Sequence, residues 1–244
     1  LFEHGTSVIT HKQIKTLEFK KYDKKFVSFN RRWRMHRPAL VALLEISNLL
    51  EKGFVSLAHA DDGKDWDVFY QELMHTLKHK PYFVQIFENY KERIKSIPEL
   101  KLDQEDMTIN HAHTLTDSTD YYYENSYFSI VSETNFFKEL GEGLFTSEKI
   151  FRPILKQHPI IVLARPNTLS LLKEIGYKTF HPFINEDYDK EEDDCKRLLM
   201  IIEEINRLCN LNDHELLSFL DNVKGIVDHN YRTLINKKEF LTLL

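Results

Sequence analysis

Two kinds of hydrophobic pattern alternate along this chain of 244 residues. Where apolar residues recur at i, i+3 and i+4, as between Ala39 and Glu51, the pattern predicts an amphipathic helix, and Pro38 suits its first turn. Short apolar and β-branched runs predict strands instead, and they cover 25–30, 54–57, 127–132 and the run Pro-Ile-Ile-Val-Leu at 159–163. Strands separated by helices in this way predict a parallel sheet, because each connection must cross a face of the sheet.

The remaining pattern is mainly helical. Helices are predicted around 68–77, over 82–97 and 196–209, from near Asp213 onward, and as a terminal tail over 231–244, whereas the polar stretch 100–123 is predicted to be a long surface loop. Residues 1–24 show little pattern and are assigned to a leading segment or the remnant of a preceding domain. Residues 25–244 are expected to form one α/β domain, a Rossmann-like parallel sheet flanked by helices with a helical C-terminal tail.

Composition narrows the class of protein further. An apolar share of 42%, a charged share of 29% and a net charge of -5 are typical of a soluble protein and make nucleic acid an unexpected partner. No run of about eighteen apolar residues predicts a membrane span. Cys195 and Cys209 are expected to be reduced, buried thiols of a cytoplasmic protein. The chain starts with Leu1 instead of Met, so we expect it to be a fragment or a processed form of a longer protein.

A basic loop follows the first predicted strand. It places Arg31, Arg32, Arg34, His36 and Arg37 between that strand and the start of a helix. Guanidinium groups bind phosphate oxygens in bidentate fashion, and a helix start adds unpaired N–H groups, so the loop predicts an anion site. The alternative is a solvated loop whose arginines pair with surface acids. Mutual repulsion among the arginines favours the anion site, since only an anion or acids would offset it.

Polar side chains also follow the strand predicted at 127–132. Glu133 stands directly after it, with Thr134 and Asn135 next. A carboxylate at this point is suited to accept hydrogen bonds from sugar hydroxyls, or it caps a nearby helix. The strand itself is almost entirely apolar, which is typical of a central buried strand.

The segment Thr146-Ser-Glu-Lys149 starts the next predicted helix. Thr146 is predicted to cap it, and Glu148 and Lys149 then lie in its first turn. A cation at a helix N-terminus is disfavoured by the helix dipole unless an anion lies nearby, and a diphosphate is such an anion. Arg152, one turn further on, is expected to assist.

The order of these segments over 127–180 resembles the donor-binding motif of glycosyltransferases, most closely the fucosyltransferase-like group. That resemblance implies the nucleotide-sugar-binding half of a GT-B-like enzyme. It implies that Lys149 binds the donor phosphate and Glu148 the ribose or donor sugar, with Glu133 lining the same pocket. Asn30 matches an Asn at a strand end in that group. Arg34 or Arg37 matches an arginine that touches the pyrophosphate, and the pattern does not choose between them.

The activity that the resemblance implies is transfer of a sugar from a nucleoside-diphosphate sugar to an acceptor hydroxyl of a glycan or another molecule. The mechanism would be inverting and metal-independent, with no cofactor beyond the donor itself. The general base is usually on the acceptor-binding half, so none is named in this chain. Two alternatives stay open: an inactive glycosyltransferase-like domain that binds a nucleotide or a partner within a larger protein, or an enzyme acting on modified DNA bases.

Two acidic triplets match the Asp-x-Asp pattern that holds a divalent metal in some glycosyltransferases. Neither Asp65-Trp66-Asp67 nor Asp187-Tyr188-Asp189 follows an apolar strand in the required way, so no metal site is expected.

The carboxyl ends of the predicted parallel strands lie at one edge of the sheet, which brings the residues that follow different strands together. Arg34, Arg37, Glu133 and Lys149 are therefore expected to face one pocket.

Overall fold

The computed structural model describes residues 21–30, 34–57, 66–98, 100–102, 119–137, 144 and 146–237. It contains a four-stranded sheet in the order β2-β1-β3-β4, in which every neighbouring pair is parallel. The strands are β1 (Lys24–Asn30), β2 (Gly53–Leu57), β3 (Ser126–Ser132) and β4 (Ile160–Leu163). The α/β class with a parallel, helix-flanked sheet is confirmed.

Helices fill the connections and the C-terminal region. They are α1 (His36–Ile46), α2 (Trp66–Leu77), α3 (Pro81–Asn89), α4 (Lys91–Lys95), α5 (Asp120–Glu124), α6 (Glu148–Leu155), α7 (Thr168–Glu174), α8 (Asp194–Cys209) and α9 (Asp213–Asn236). The helical character of the C-terminal region is therefore confirmed as far as the described residues reach. None of the described helices is both long and apolar enough to cross a membrane.

Burial explains the strand sequences. Every residue of β3 is buried, because β3 lies between β1 and β4 and is covered on both faces. The helix α1 contacts α4, α8 and β2, whereas α6 contacts α9, β3 and β4. In the sheet, β2 lies on one side of β1, and β4 lies on the opposite side of β3, so the two connections cross the sheet in opposite directions. Right-handed crossovers therefore put α1 and α6 on opposite faces.

The helix α1 is shorter at its end than the sequence pattern predicts. It stops at Ile46 because Asn48 adopts a left-handed conformation with φ 57°, which an Asn tolerates and which closes the helix. A 3-10 turn, Leu50–Lys52, then leads into β2. At the other end α1 starts at His36, so the last part of the basic loop belongs to its first turn.

Two further differences concern helix continuity. The helix predicted over 82–97 is two helices, since Tyr90 leaves helical geometry (φ -113°, ψ 14°) between α3 and α4. Conversely, the final two predicted helical segments are one helix, α9, which starts with a capping box between Asn212 and Glu215. Residues 1–20, most of the loop at 103–118 and the tail beyond 237 lie outside the described residues.

Both cysteines lie in α8, as free and buried thiols. Burial raises the pKa of each thiol to about 12, so neither is a thiolate at neutral pH.

Candidate functional site

The strand order reverses between β1 and β3. From β1 the chain proceeds to β2 on one side, and from β3 it proceeds to β4 on the other side. In open α/β sheets the crevice outside the carboxyl ends of two such strands is the usual ligand site, because the helices that follow the strands diverge onto opposite faces there. Asn30 ends β1 and Ser132 ends β3, so these residues mark that crevice.

Glu133 follows β3 and is completely buried. Its carboxylate accepts hydrogen bonds from the backbone N–H of Ser147 (2.9 Å) and from the Ser147 hydroxyl (2.8 and 3.0 Å to its two oxygens). The backbone N–H of Thr134 donates to it as well (3.1 Å). Glu133 thus joins the end of β3 to the start of α6. With all of these donors around it, the carboxylate serves to position Ser147 and is not exposed to a sugar.

Ser147, not Thr146, caps α6. Its side-chain oxygen accepts from the backbone N–H of Lys149, so the prediction of a Thr146 cap is wrong by one residue. The cause is tertiary: the Glu133 carboxylate binds the Ser147 hydroxyl and fixes that residue in the capping position. Thr146 lies just before the cap and is half-buried.

The Lys149 ammonium lies at this helix start, as the sequence indicates. It contacts Glu148 Oε1 at 2.8 Å, Ser147 Oγ at 3.1 Å and Thr134 Oγ1 at 3.5 Å. About a third of each side chain of the ion pair remains exposed, 31% for Lys149 and 34% for Glu148. The cation is therefore held in place but still accessible from solvent.

The start of α1 reaches the same end of β3 from the opposite face. The Arg37 guanidinium donates to the Ser132 carbonyl oxygen (3.1 Å), and His36 Nε2 lies 2.8 Å from the Glu133 carbonyl oxygen. Arg37 is buried, whereas Arg34 is exposed and its carbonyl accepts from the Arg37 N–H. The two candidates that the sequence left open are thus distinguished: Arg37 stabilises the strand end, and Arg34 faces solvent. Arg31, Arg32 and Trp33 lie outside the described residues.

Arg197 of α8, which was not predicted from the sequence, binds the segments that follow β3 and β4. Arg197 of α8 is only 1% exposed. It donates to the carbonyl oxygens of Ala164, after β4, and Phe136, after β3, at 3.1 and 2.8 Å. It also donates to the Glu191 carbonyl and pairs with Asp194. In the sequence, Arg197 differs from an ordinary surface arginine only in its place within the helical apolar pattern of α8. Surface lysines and arginines also occur at such positions, so this signal is weak.

Basic side chains at this edge act on the buried His36 ring. The pKa of His36 is lowered from 6.5 to about 3, first by burial and then by Arg37, with smaller contributions from Arg34 and Arg197; the hydrogen bond to Glu133 opposes the shift. Three arginines from two parts of the chain, the start of α1 and α8, therefore act on one imidazole ring. At neutral pH His36 is uncharged, and the positive charge of the edge comes from the arginines and Lys149.

The other candidate residues lie close by or have structural roles. Asn30 is fully buried and donates to Ser28 Oγ (3.0 Å). Arg152 lies further along α6, near Tyr123 of α5. Burial raises the pKa of Tyr123 above its usual value, and the positive charge of Arg152 partly opposes this rise. In the second acidic triplet, Asp189 accepts from the N–H groups of Leu169 and Ser170 at the start of α7 (2.9 and 3.3 Å). That role explains Asp189 without a metal ion.

No protein-family model matches this chain, and neither a search of curated proteins nor one of solved structures finds a match. The fold and the edge define a class by themselves: a parallel α/β domain with basic side chains near the carboxyl ends of its two central strands. Three segments that are distant in sequence meet there, namely the start of α1, the end of β3 and the start of α6.

Proposed function

We propose that this domain binds a nucleoside-diphosphate sugar at the carboxyl edge of its sheet and takes part in transferring the sugar to an acceptor hydroxyl. The observation that carries the proposal is that the start of α1, with Arg34 and Arg37, and the start of α6, with Lys149, both hydrogen-bond to Ser132 or Glu133 at the end of β3. Helix starts and cations together favour a multiply charged anion such as a diphosphate. The resemblance of 127–180 to glycosyltransferases is the reason for proposing that this diphosphate carries a sugar.

The proposed roles follow accessibility. Lys149 and Arg34 are exposed enough to contact the diphosphate, and Glu148 beside Lys149 is suited to a ribose or sugar hydroxyl. Glu133 and Arg37 are hydrogen-bonded to Ser147 and to the Ser132 carbonyl oxygen, so they position the helix start and the strand end that carry those groups. During transfer the cations would stabilise the negative charge that develops on the leaving diphosphate, and this stabilisation needs no metal.

A direct test is isothermal titration calorimetry of the protein with UDP-glucose, UDP-galactose, GDP-mannose and GDP-fucose, and with UDP and GDP. Saturable binding of at least one sugar nucleotide is expected. The matched control is the double variant Arg34→Ala/Lys149→Ala, which removes two partly exposed cations and should bind none of them. If no nucleotide binds the wild-type protein, the proposal is wrong.

A turnover assay distinguishes a glycosyltransferase from an inactive domain that only binds the nucleotide. A protein that binds the donor is incubated with glycan acceptors and with DNA containing hydroxymethylated bases, and release of the nucleoside diphosphate is measured. Release that depends on a glycan supports a glycosyltransferase of ordinary acceptors. Binding without any release would instead favour a nucleotide-binding domain within a larger protein.

A further inference from the structure

Three buried polar atoms at the switch point lack hydrogen-bond partners. They are Asn30 Oδ1, His36 Nδ1 and Ser132 Oγ, and they have no partner among the residues that the structure describes. Their side chains are 0%, 0% and 2% exposed, respectively. Native proteins pair nearly all such atoms, because an unpaired buried polar group costs stability. Three exceptions in one place therefore require an explanation.

These residues lie next to one another in the fold. The β1–β3 pairing sets Val27 opposite Ser129, and the same register carried to the strand ends sets Asn30 opposite Ser132. His36 is tied to the residue that follows Ser132 by its contact with the Glu133 carbonyl oxygen. The three orphan atoms thus lie together at the carboxyl ends of β1 and β3, the edge where α/β sheets bind ligands.

Their chemistry selects the kind of group that would satisfy them. A carbonyl oxygen only accepts, so the hydrogen on the His36 ring lies on Nε2, which donates to Glu133. Because the imidazole is neutral, its Nδ1 is then an acceptor. The amide nitrogen of Asn30 donates to Ser28, which leaves Oδ1 as a second acceptor. Ser132 Oγ both donates and accepts. Two acceptors and one hydroxyl suit hydrogen-bond donors, and a fully ionised phosphate oxygen offers none.

We infer that Asn30, His36 and Ser132 form a subsite for hydroxyl groups of the bound ligand, those of its ribose or of its transferred sugar. This inference rests on the proposed function and deepens it, since it separates a neutral, hydroxyl-binding part of the crevice from a cationic, diphosphate-binding part at Lys149 and Arg34. It assigns Asn30 to hydroxyls and not to phosphate. Three unpaired polar atoms destabilise the unliganded protein, and a bound ligand that pairs them removes this cost.

Ser132→Ala provides the sharpest test, because it removes one orphan hydroxyl and nothing else. Ser129→Ala is the matched control: Ser129 is a buried serine of the same strand, but its hydroxyl is paired with His158 Nδ1 at 2.7 Å. Both variants are compared with the wild-type protein by urea unfolding. Calorimetry follows with the sugar nucleotides named above and with inorganic pyrophosphate.

We expect Ser132→Ala to unfold at the same or a higher urea concentration and to bind the sugar nucleotide about tenfold more weakly, with unchanged pyrophosphate affinity. Ser129→Ala should show the reverse, a lower unfolding midpoint and unchanged affinity. If Ser132→Ala keeps wild-type affinity for the sugar nucleotide, the subsite is overturned while the proposed function stands. Equal weakening towards pyrophosphate, or a stability loss like that of Ser129→Ala, would also overturn it. If no sugar nucleotide binds the wild-type protein, both proposals fail.

Discussion

The Arg197 guanidinium lies 4.4 Å from the centre of the Phe136 ring and donates a hydrogen bond to the Phe136 carbonyl oxygen. The His36 ring packs against the same phenyl ring, with 5.5 Å between centroids. Phe136 therefore stands between α8 and the start of α1. Through these contacts the loop after β3, which includes Glu133, is fixed from both sides before any ligand binds.

Replacing Arg197 with Met should destabilise the fold severely. The variant keeps much of the side-chain volume but leaves the carbonyls of Phe136 and Ala164 and the Asp194 carboxylate without their donor. Breaking a buried charged network of this kind costs about 3–5 kcal/mol. Urea unfolding would measure the loss. Lys196→Ala, one residue earlier and 68% exposed, is the control and should leave the unfolding midpoint nearly unchanged, because exposed ion pairs contribute little to stability. Similar losses for both variants would contradict a structural role specific to Arg197.

Two glycines should respond to alanine in opposite directions. At Gly53, the first residue of β2, an added Cβ would lie 2.2 Å from Cε2 of the buried Phe26 ring. Gly53→Ala should therefore cost about 1–3 kcal/mol through overpacking. Gly225 lies within α9, and nothing in the described part of the chain lies within 4 Å of the added atom. Gly225→Ala should stabilise the protein by about 0.5–1 kcal/mol. Thermal unfolding checks both, and a stabilising Gly53→Ala would show that Phe26 can move aside.

His36 should make stability depend on pH. Its folded pKa of about 3 lies below its ordinary value of 6.5, so the unfolded chain binds a proton that the folded protein does not. This contribution is fully present above pH 6.5 and is lost as the pH falls toward 3. The slope approaches about 1.4 kcal/mol per pH unit.

The variant His36→Gln retains an N–H donor for the Glu133 carbonyl oxygen but does not titrate. Between pH 7.5 and pH 5, wild type should therefore lose about 2 kcal/mol more than this variant in urea unfolding. Equal losses would mean that His36 is protonated in the folded protein.

Lys149→Ala should weaken nucleoside-diphosphate binding far more than it weakens the fold. The ammonium is about a third exposed and its partners are Glu148, Ser147 and Thr134, so its removal leaves no buried charge. A charge-assisted contact to phosphate contributes about 1.5–3 kcal/mol, which corresponds to about a tenfold to hundredfold loss of affinity. Lys156→Ala, at the other end of α6 and paired with Asp120, is the control and should bind normally. Unchanged affinity of the Lys149 variant by calorimetry would remove this residue from the site.

Donor binding should persist in excess EDTA. The charge that would neutralise a diphosphate comes from side chains, and Asp189 of one acidic triplet uses its carboxylate oxygens at the start of α7. Affinities measured by calorimetry before and after chelation should agree. Binding that disappears with EDTA and returns with Mn²⁺ would show that a metal ion holds the diphosphate.

Much of the fold was predictable from local sequence. The apolar runs at 25–30, 54–57 and 127–132 are strands, as their short length and their β-branched and aromatic residues indicate. Continuity of the helices was harder to predict: the break at Tyr90 and the stop at Asn48 depend on single backbone conformations that leave the apolar spacing unchanged. The cap of α6 was misplaced by one residue because Thr146 and Ser147 are both common caps, and the hydrogen bond of Ser147 to Glu133 that fixes the cap is a tertiary contact.

The α/β class and the edge at which the polar segments meet follow from local patterns, because parallel strands with right-handed crossovers have their carboxyl ends on one side. Which polar residues face solvent and which are buried depends on the packing of the folded chain. Glu133 and Arg37 have the residue types of a binding site, but their hydrogen bonds to Ser147 and Ser132 make them structural. The local sequence does not distinguish Arg197 from a surface arginine, and it does not mark the unpaired hydroxyl of Ser132. Burial and pairing depend on contacts between residues far apart in the chain, and local patterns do not encode them.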